Sequence, residues 1–208
     1  MSNPRFSVIV PAYNAEHHIR PLLTSIANQH FRDYELLVIC DSCTDNTERI
    51  AREYGAHTER VQFGKDGLTR DRGLELATGE WILFADDDDW FLHEYCFTQL
   101  ADMVGKHGED VLNFAYIWKN KGYIEPNAST IFKPRVAHVW ANAWRRAAIG
   151  NARFGDATFC SDTYFIKAMR TNNFFLWDMP MYYYNFLRRG SQTDLFCKGI
   201  IRESPVAE

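Results

Sequence analysis

The sequence predicts an α/β protein: a doubly wound, mostly parallel sheet with helices on both faces. Three observations predict it. Short apolar runs alternate with helix-spaced segments through the first half of the chain. Polar clusters follow three of those runs, at Tyr13-Asn14, Asp41 to Thr44 and Asp86 to Asp89, which is where open α/β sheets bind ligands. The length, 208 residues, suffices for one large core.

The elements follow in order. Phe6 to Val10 (FSVIV) reads as a buried strand, broken by Pro11-Ala12-Tyr13-Asn14. Ile19, Leu22, Leu23 and Ile26 recur at helical spacing, with Pro21 expected in the first turn, where no hydrogen bond is lost. Glu35 to Ile39 is the second strand. Asp45 and Glu48 form an expected capping box for a helix running to Tyr54, with Gly55 as its stop. Thr58 to Phe63 is a third strand, Leu68 to Ala77 a helix, and Trp81 to Ala85 a fourth strand. Leu92 to Val104 reads as a helix, which Asp89 would cap. Beyond Gly108, Val111 to Trp118 and Tyr123-Ile124 are expected strands, and Lys121 to Lys133 reads as loop-like. Trp140 to Ile149 and Asp162 to Arg170 are expected helices, and Phe174 to Trp177 and Tyr182 to Arg188 aromatic strands.

Composition excludes some classes. A net charge of −4 argues against nucleic-acid binding, which needs a basic stripe. No apolar run is long enough to cross a membrane, and MSNPRFSVIV lacks the shape of a signal peptide. Five irregularly spaced cysteines point to free thiols in a reducing, cytoplasmic compartment. Cys40-x-x-Cys43 is a weak redox signal, without a second pair to make a metal site.

The chemistry concentrates in WILFADDDDW. Two carboxylates about 4 Å apart repel by roughly 1 kcal/mol even in water, and a divalent cation held by one or two of them plus substrate phosphates removes that cost. Asp86, Asp87 and Asp88 are placed to hold ribose hydroxyls and such an ion, which would bridge the phosphates of a departing nucleotide. Asp41 can accept the imide N–H of a uracil or thymine, Tyr13 can flank that base, and the planar fork of Arg70 suits a diphosphate.

With SVIVPAYN, ELLVICDSCTDNT, GLTRDRGLELATGEWILFADDDDW, SDTYF and YYYNFLRRGSQT in that order, the chain resembles a family 2 glycosyltransferase of GT-A fold. The resemblance implies a sugar-nucleotide donor, a Mn²⁺ or Mg²⁺ ion and inverting transfer to a hydroxyl. It matches Pro11 and Tyr13 to the nucleobase pocket, Asp41 to the base contact and Arg70 to the diphosphate. Asp86-x-Asp88 matches the DXD motif, with Asp88 the direct metal ligand, and Asp162 matches the general base. Three positions depart from the family pattern: Cys40 stands where an aspartate is usual, Asp71 where an asparagine is usual, and Ser161 where a glutamate is usual.

Residues 1–190 are thus expected to form one domain, with 1–108 binding the nucleotide sugar, 109–190 carrying acceptor and catalysis, and 191–208 a polar tail. The donor is expected to be a UDP- or dTDP-sugar. The acceptor is expected to be a glycan or lipid-linked hydroxyl, met in the cytoplasm or at the inner membrane face. Asp156 is a second candidate for the base. His138 is open as a late metal ligand or, preferentially, a core-edge histidine, and Trp140 and Trp144 as a sugar platform or, preferentially, core. Arg188, Arg189 and Ser191 resemble a phosphate-facing loop. The alternative from a different class is a non-catalytic nucleotide-sugar-binding module of the same fold. A nucleotidyltransferase is disfavoured because PAYNAEHH has no glycine for a phosphate loop.

Overall fold

The computed structural model describes residues 3–126, 138–157, 161–186, 188 and 198. Its first half follows the alternation: β1 (Phe6–Ala12), α1 (Ile19–Ala27), β2 (Tyr34–Asp41), α2 (Thr47–Glu53), β3 (His57–Val61), α3 (Asp66–Leu76) and β4 (Trp81–Phe84). These four strands are parallel neighbours in the order β3-β2-β1-β4. All four therefore end at the same rim. The second half adds β5 (Trp90–Phe91), α4 (Cys96–Met103), β6 (Val111–Trp118), β7 (Gly122–Ile124), β8 (Asn142–Arg145), α5 (Arg146–Ile149), α6 (Ser161–Met169) and β9 (Phe174–Tyr184). The sheet continues β4-β8-β6-β9-β5, with β8 antiparallel to both its neighbours and β6 parallel to β9.

The period-2 alternation of a strand divides the core between the two faces. Val8, Val10, Leu36 and Val38 pack with α1, α2 and α4, while Ile9, Leu37, Ile82 and Phe84 pack with α3 and α6. Helices thus cover both faces. On α3, a Cβ at Gly73 would stand 2.3 Å from Ile9 Cγ2, so only glycine lets this helix lie so close to β1. Gly55, at φ +79°, ends α2 in the left-handed conformation expected of it. Pro21 falls in the first turn of α1.

Four local expectations are corrected. Trp140 to Ile149 is not one helix: Val139–Ala141 is a 3₁₀ turn, Asn142–Arg145 is β8, and only Arg146–Ile149 is helical. The gap between β4 and β6 accepts a strand on both sides, and that pairing overrides the helical spacing of the two tryptophans. Phe174 to Arg188 does not break into two strands. It is one long strand to Tyr184, and the register against β6 shifts where Pro180, which lacks an N–H, joins the ladder. The Asp45/Glu48 box is half formed, for Asp45 caps Thr47 through its N–H (3.0 Å) and hydroxyl (2.6 Å) while Glu48 turns to Arg52. Asp89 does not cap the next helix, which begins only at Cys96. It is fully buried and accepts the Asn185 N–H at 2.7 Å.

Candidate active site

The carboxyl ends of β1, β2 and β4 bring Tyr13, Asp41 and the aspartate run to one rim. Two non-glycine residues there adopt left-handed backbone, Asn14 (φ 46°) and Ser42 (φ 55°), so the chain turns sharply as it leaves β1 and β2. Asn14 Oδ1 locks the two turns together by accepting the Thr44 N–H at 2.9 Å. Pro11 lies within β1 opposite Ile39. The Tyr13 ring is 64% exposed at the edge of the crevice, as a face offered to a flat ligand requires.

Asp41 is buried and heavily bonded. It accepts the N–H groups of Phe63 (2.9 Å), Gly64 (3.0 Å) and Lys65 (3.2 Å) and the hydroxyls of Thr69 (2.8 Å) and Ser42 (2.9 Å). Burial works against its charge, but the donors from Gly64, Thr69, Ser42 and Phe63 outweigh it and hold the carboxyl below its ordinary range. Five donors fill a carboxylate's acceptor capacity of about four lone-pair sites. In this arrangement Asp41 orders the loop from Phe63 to Lys65, and a nucleobase N–H would have to exchange with one of these donors.

Arg70, 5% exposed on α3, lies between carboxylates. Nη2 donates to Asp86 Oδ1 at 2.7 Å, and Nη1 pairs with Asp66 one helical turn back. Asp66 in turn accepts the Ser161 hydroxyl at 2.6 Å. Burial raises Asp86 to about 7, abetted by Asp162, Asp88 and Asp66 and opposed by Arg70. Its backbone N–H is received by the Tyr182 hydroxyl at 3.0 Å. Asp87 faces His18 (3.1 Å). Asp88 accepts Arg188 Nε at 2.7 Å, and burial and Asp87 raise its carboxyl in spite of Arg188 and His18.

Asp162 sits in the first turn of α6 and accepts the Val139 N–H at 3.0 Å. Burial lifts it to about 6, against the pull of Arg70, so at neutral pH it is ionised but basic enough to take a proton. Asp156 stands exposed in a turn. Asp71 accepts the N–H groups of Phe154 and Gly155, both at 2.9 Å, so its carboxylate clamps a loop instead of adding charge to the crevice. His138 is stacked on Trp140 (4.6 Å, 19°) beside Tyr116, Trp118 and Tyr184, and burial depresses its pKa to about 4. Trp140 and Trp144 are both core residues. Arg189 and Ser191 lie outside the described residues.

Sequence reasoning missed Asp66, His18 and Tyr182. Asp66 carried a signal, four residues before Arg70 on one helix face; His18 and Tyr182 carried none, because they meet the aspartates only through the tertiary fold. Among the described residues no three acidic, His or Cys side chains form a ready cage for a metal. The donor set nevertheless fits one. Half-buried neighbouring carboxylates that hold protons more tightly than usual would release them to a cation, with substrate phosphates completing the oxygen shell.

The model for Glycosyl transferase family 2 matches residues 7–171. TarS of Staphylococcus aureus strain Mu50, a poly(ribitol-phosphate) beta-N-acetylglucosaminyltransferase, is 35% identical over 116 residues, 52% of this chain and 20% of that protein. The putative glycosyltransferase EpsH of Bacillus subtilis strain 168 is 32% identical over 127 residues, 59% of this chain and 37% of that one. The chain thus spans well under half the length of these relatives. The crystal structure of S. aureus TarS 1–349 with UDP-GlcNAc superposes with a TM-score of 0.75 at 26% identity, covering 86% of this chain and 58% of that one. A Pyrobaculum calidifontis mannosyltransferase, solved with GDP-Man and Mn²⁺, shares the fold at 16% identity, with a TM-score of 0.66 over 99% of this chain and 67% of that one. The fold is GT-A. With the family model spanning most of its length, the chain belongs to glycosyltransferase family 2.

Proposed function

We propose that the chain transfers a sugar, with inversion, from a nucleotide-diphosphate sugar to an acceptor hydroxyl. The observation that carries this reading is the convergence of Asp41, Arg70 and the Asp86–Asp88 run on one rim, with the half-buried Asp162 near enough to Arg70 and Asp86 to act on both charges. Tyr13 and Pro11 flank the base, and Asp41 takes its imide N–H by exchanging the Ser42 hydroxyl. Asp86 and Asp87 face the ribose side, and Asp88, with Asp86, would hold the divalent cation. Held there, Mn²⁺ or Mg²⁺ would supply positive charge to offset that of the departing diphosphate. Arg70 keeps Asp86 oriented and adds positive charge beside that diphosphate.

Asp162 takes the proton of the acceptor hydroxyl as that oxygen attacks the anomeric carbon opposite the leaving group. The Val139 N–H fixes the orientation of its carboxylate. The UDP-GlcNAc in the TarS structure favours a UDP-sugar over a dTDP-sugar. A relative from Campylobacter jejuni whose name gives an undecaprenol-diphosphate-linked acceptor keeps lipid-linked acceptors beside glycans in the proposal, and with them a cytoplasmic site at the inner membrane face. Among the described residues no helix is long and apolar enough to cross a membrane. The division into a donor half (1–108), an acceptor half (109–190) and a tail is part of the same reading.

Release of nucleoside diphosphate from UDP-, dTDP- and GDP-sugars, with Mn²⁺ and an acceptor panel, tests it. Turnover with a UDP-sugar, lost in Asp162→Asn, is expected. Donor binding with no turnover on any acceptor would support a non-catalytic module instead.

A further inference from the structure

At the opposite end of the sheet from the aspartate run lies a cleft of about 690 Å³. It opens where β1 and β4 begin and β8 ends. Trp81 is five residues from Asp86, about 17 Å at roughly 3.3 Å per residue, so the cleft and the donor rim are separate sites. Four cations line it, Arg5, Lys106, Arg145 and Arg146, against two carboxylates, Glu80 and Asp102. This local excess of positive charge stands out on a chain whose net charge is −4.

The fold accounts for part of this charge. Arg5 pairs with Glu80 and donates to Val104 O at 2.9 Å, and Arg146 Nε donates to Gly79 O at 2.7 Å. Arg145 is different. Its guanidinium lies over the Trp81 ring, 5.2 Å from the centroid, and these two residues are register partners between β4 and β8. Arg145 Nε and Trp81 Nε1 are both buried, both can only donate, and among the described residues neither has a hydrogen-bond partner. Of the two only Arg145 lines the cleft, Trp81 being wholly buried, and an orphaned buried donor is costly unless an acceptor meets it.

We propose that this cleft binds a phosphate ester, whose oxygens accept from Arg145 while Lys106 and Arg146 contribute charge. Guanidinium forks match phosphate oxygens, and the cleft has room for more than an isolated phosphate. A soluble phosphorylated molecule and a phospholipid headgroup share this chemistry.

The test follows the Arg145 Nε–H and Trp81 indole signals by ¹H–¹⁵N NMR during titration with glycerol 3-phosphate, alongside co-sedimentation with phosphatidylglycerol or phosphatidylcholine vesicles. Saturable shifts of both signals, abolished for Trp81 in Arg145→Gln and retained in Asp88→Ala, identify a soluble phosphoester. Sedimentation with phosphatidylglycerol alone, lost in Arg145→Gln, identifies a headgroup. Lys106→Gln, at an exposed position that does not threaten folding, is expected to weaken either binding about 2–5-fold. Absence of both effects, or effects unchanged in Arg145→Gln and Lys106→Gln, overturns the proposal.

Discussion

The two halves of the sheet are built on different logic. From β1 to β4 every strand runs the same way, and β1, β2 and β4 end in polar clusters at a common rim. From β5 to β9 directions are mixed, a two-residue strand and an eleven-residue strand share the sheet, and aromatic rings fill the space. Yet the second half supplies what makes the first half's aspartates unusual. Tyr182 meets Asp86, Arg188 meets Asp88, Asn185 meets Asp89, and Asp162 joins the field around Arg70. Regular topology places the carboxylates; the irregular half supplies several of their hydrogen-bond partners and adds to the burial and the Arg70 charge that set their protonation.

The comparison breaks most visibly at Asp162. Asp162→Asn is expected to lower transfer by about 10²–10⁴-fold while donor binding persists, and Asp156→Asn to change it by less than about 3-fold. Steady-state kinetics decides, and equal losses from the two substitutions would move the base out of the buried network. Next in size, Trp144→Ala removes a fully buried ring from β8, the strand that joins the halves. A loss of about 3–5 kcal/mol is expected by urea denaturation, in one transition if the halves fold as a unit. Gly73→Ala tests the first half alone, where the added methyl would meet Ile9. About 1–3 kcal/mol of destabilisation is expected.

A pH dependence of similar size is expected. Asp86 and Asp162 have folded-state pKa values raised to about 7 and about 6, so the native state holds protons that the unfolded chain releases near 4. Ligand-free stability should therefore fall as pH rises from about 4 to 7, by on the order of 1–3 kcal/mol. Asp41, Asp45 and Glu35 are held below their ordinary range and act in the opposite sense, below that window. Thermal melts across pH measure the sum, and a flat profile from pH 4 to 7 would remove the case for tightly held protons.

How legible the molecule was follows the same divide. Strand–helix alternation, the positions of Pro21 and Gly55 and the three rim clusters could be read because they obey local rules. Trp140 to Ile149 could not, since a strand slot between β4 and β6 exists only after those strands are in place. Asp89 illustrates the limit inside the site. The four aspartates look alike in sequence, and only Asn185, brought back by β9, shows that this one is buried structure and not a helix cap.

On the proposed function, the carboxylates ending β4 form a donor and cation site that the second half tunes for chemistry. Thermal shift with UDP, with and without Mn²⁺, tests it most directly in wild type, Asp88→Ala and Asp162→Asn. A Mn²⁺-dependent rise in melting temperature is expected for wild type and Asp162→Asn, and none for Asp88→Ala. No rise in wild type, or an undiminished rise in Asp88→Ala, would contradict it.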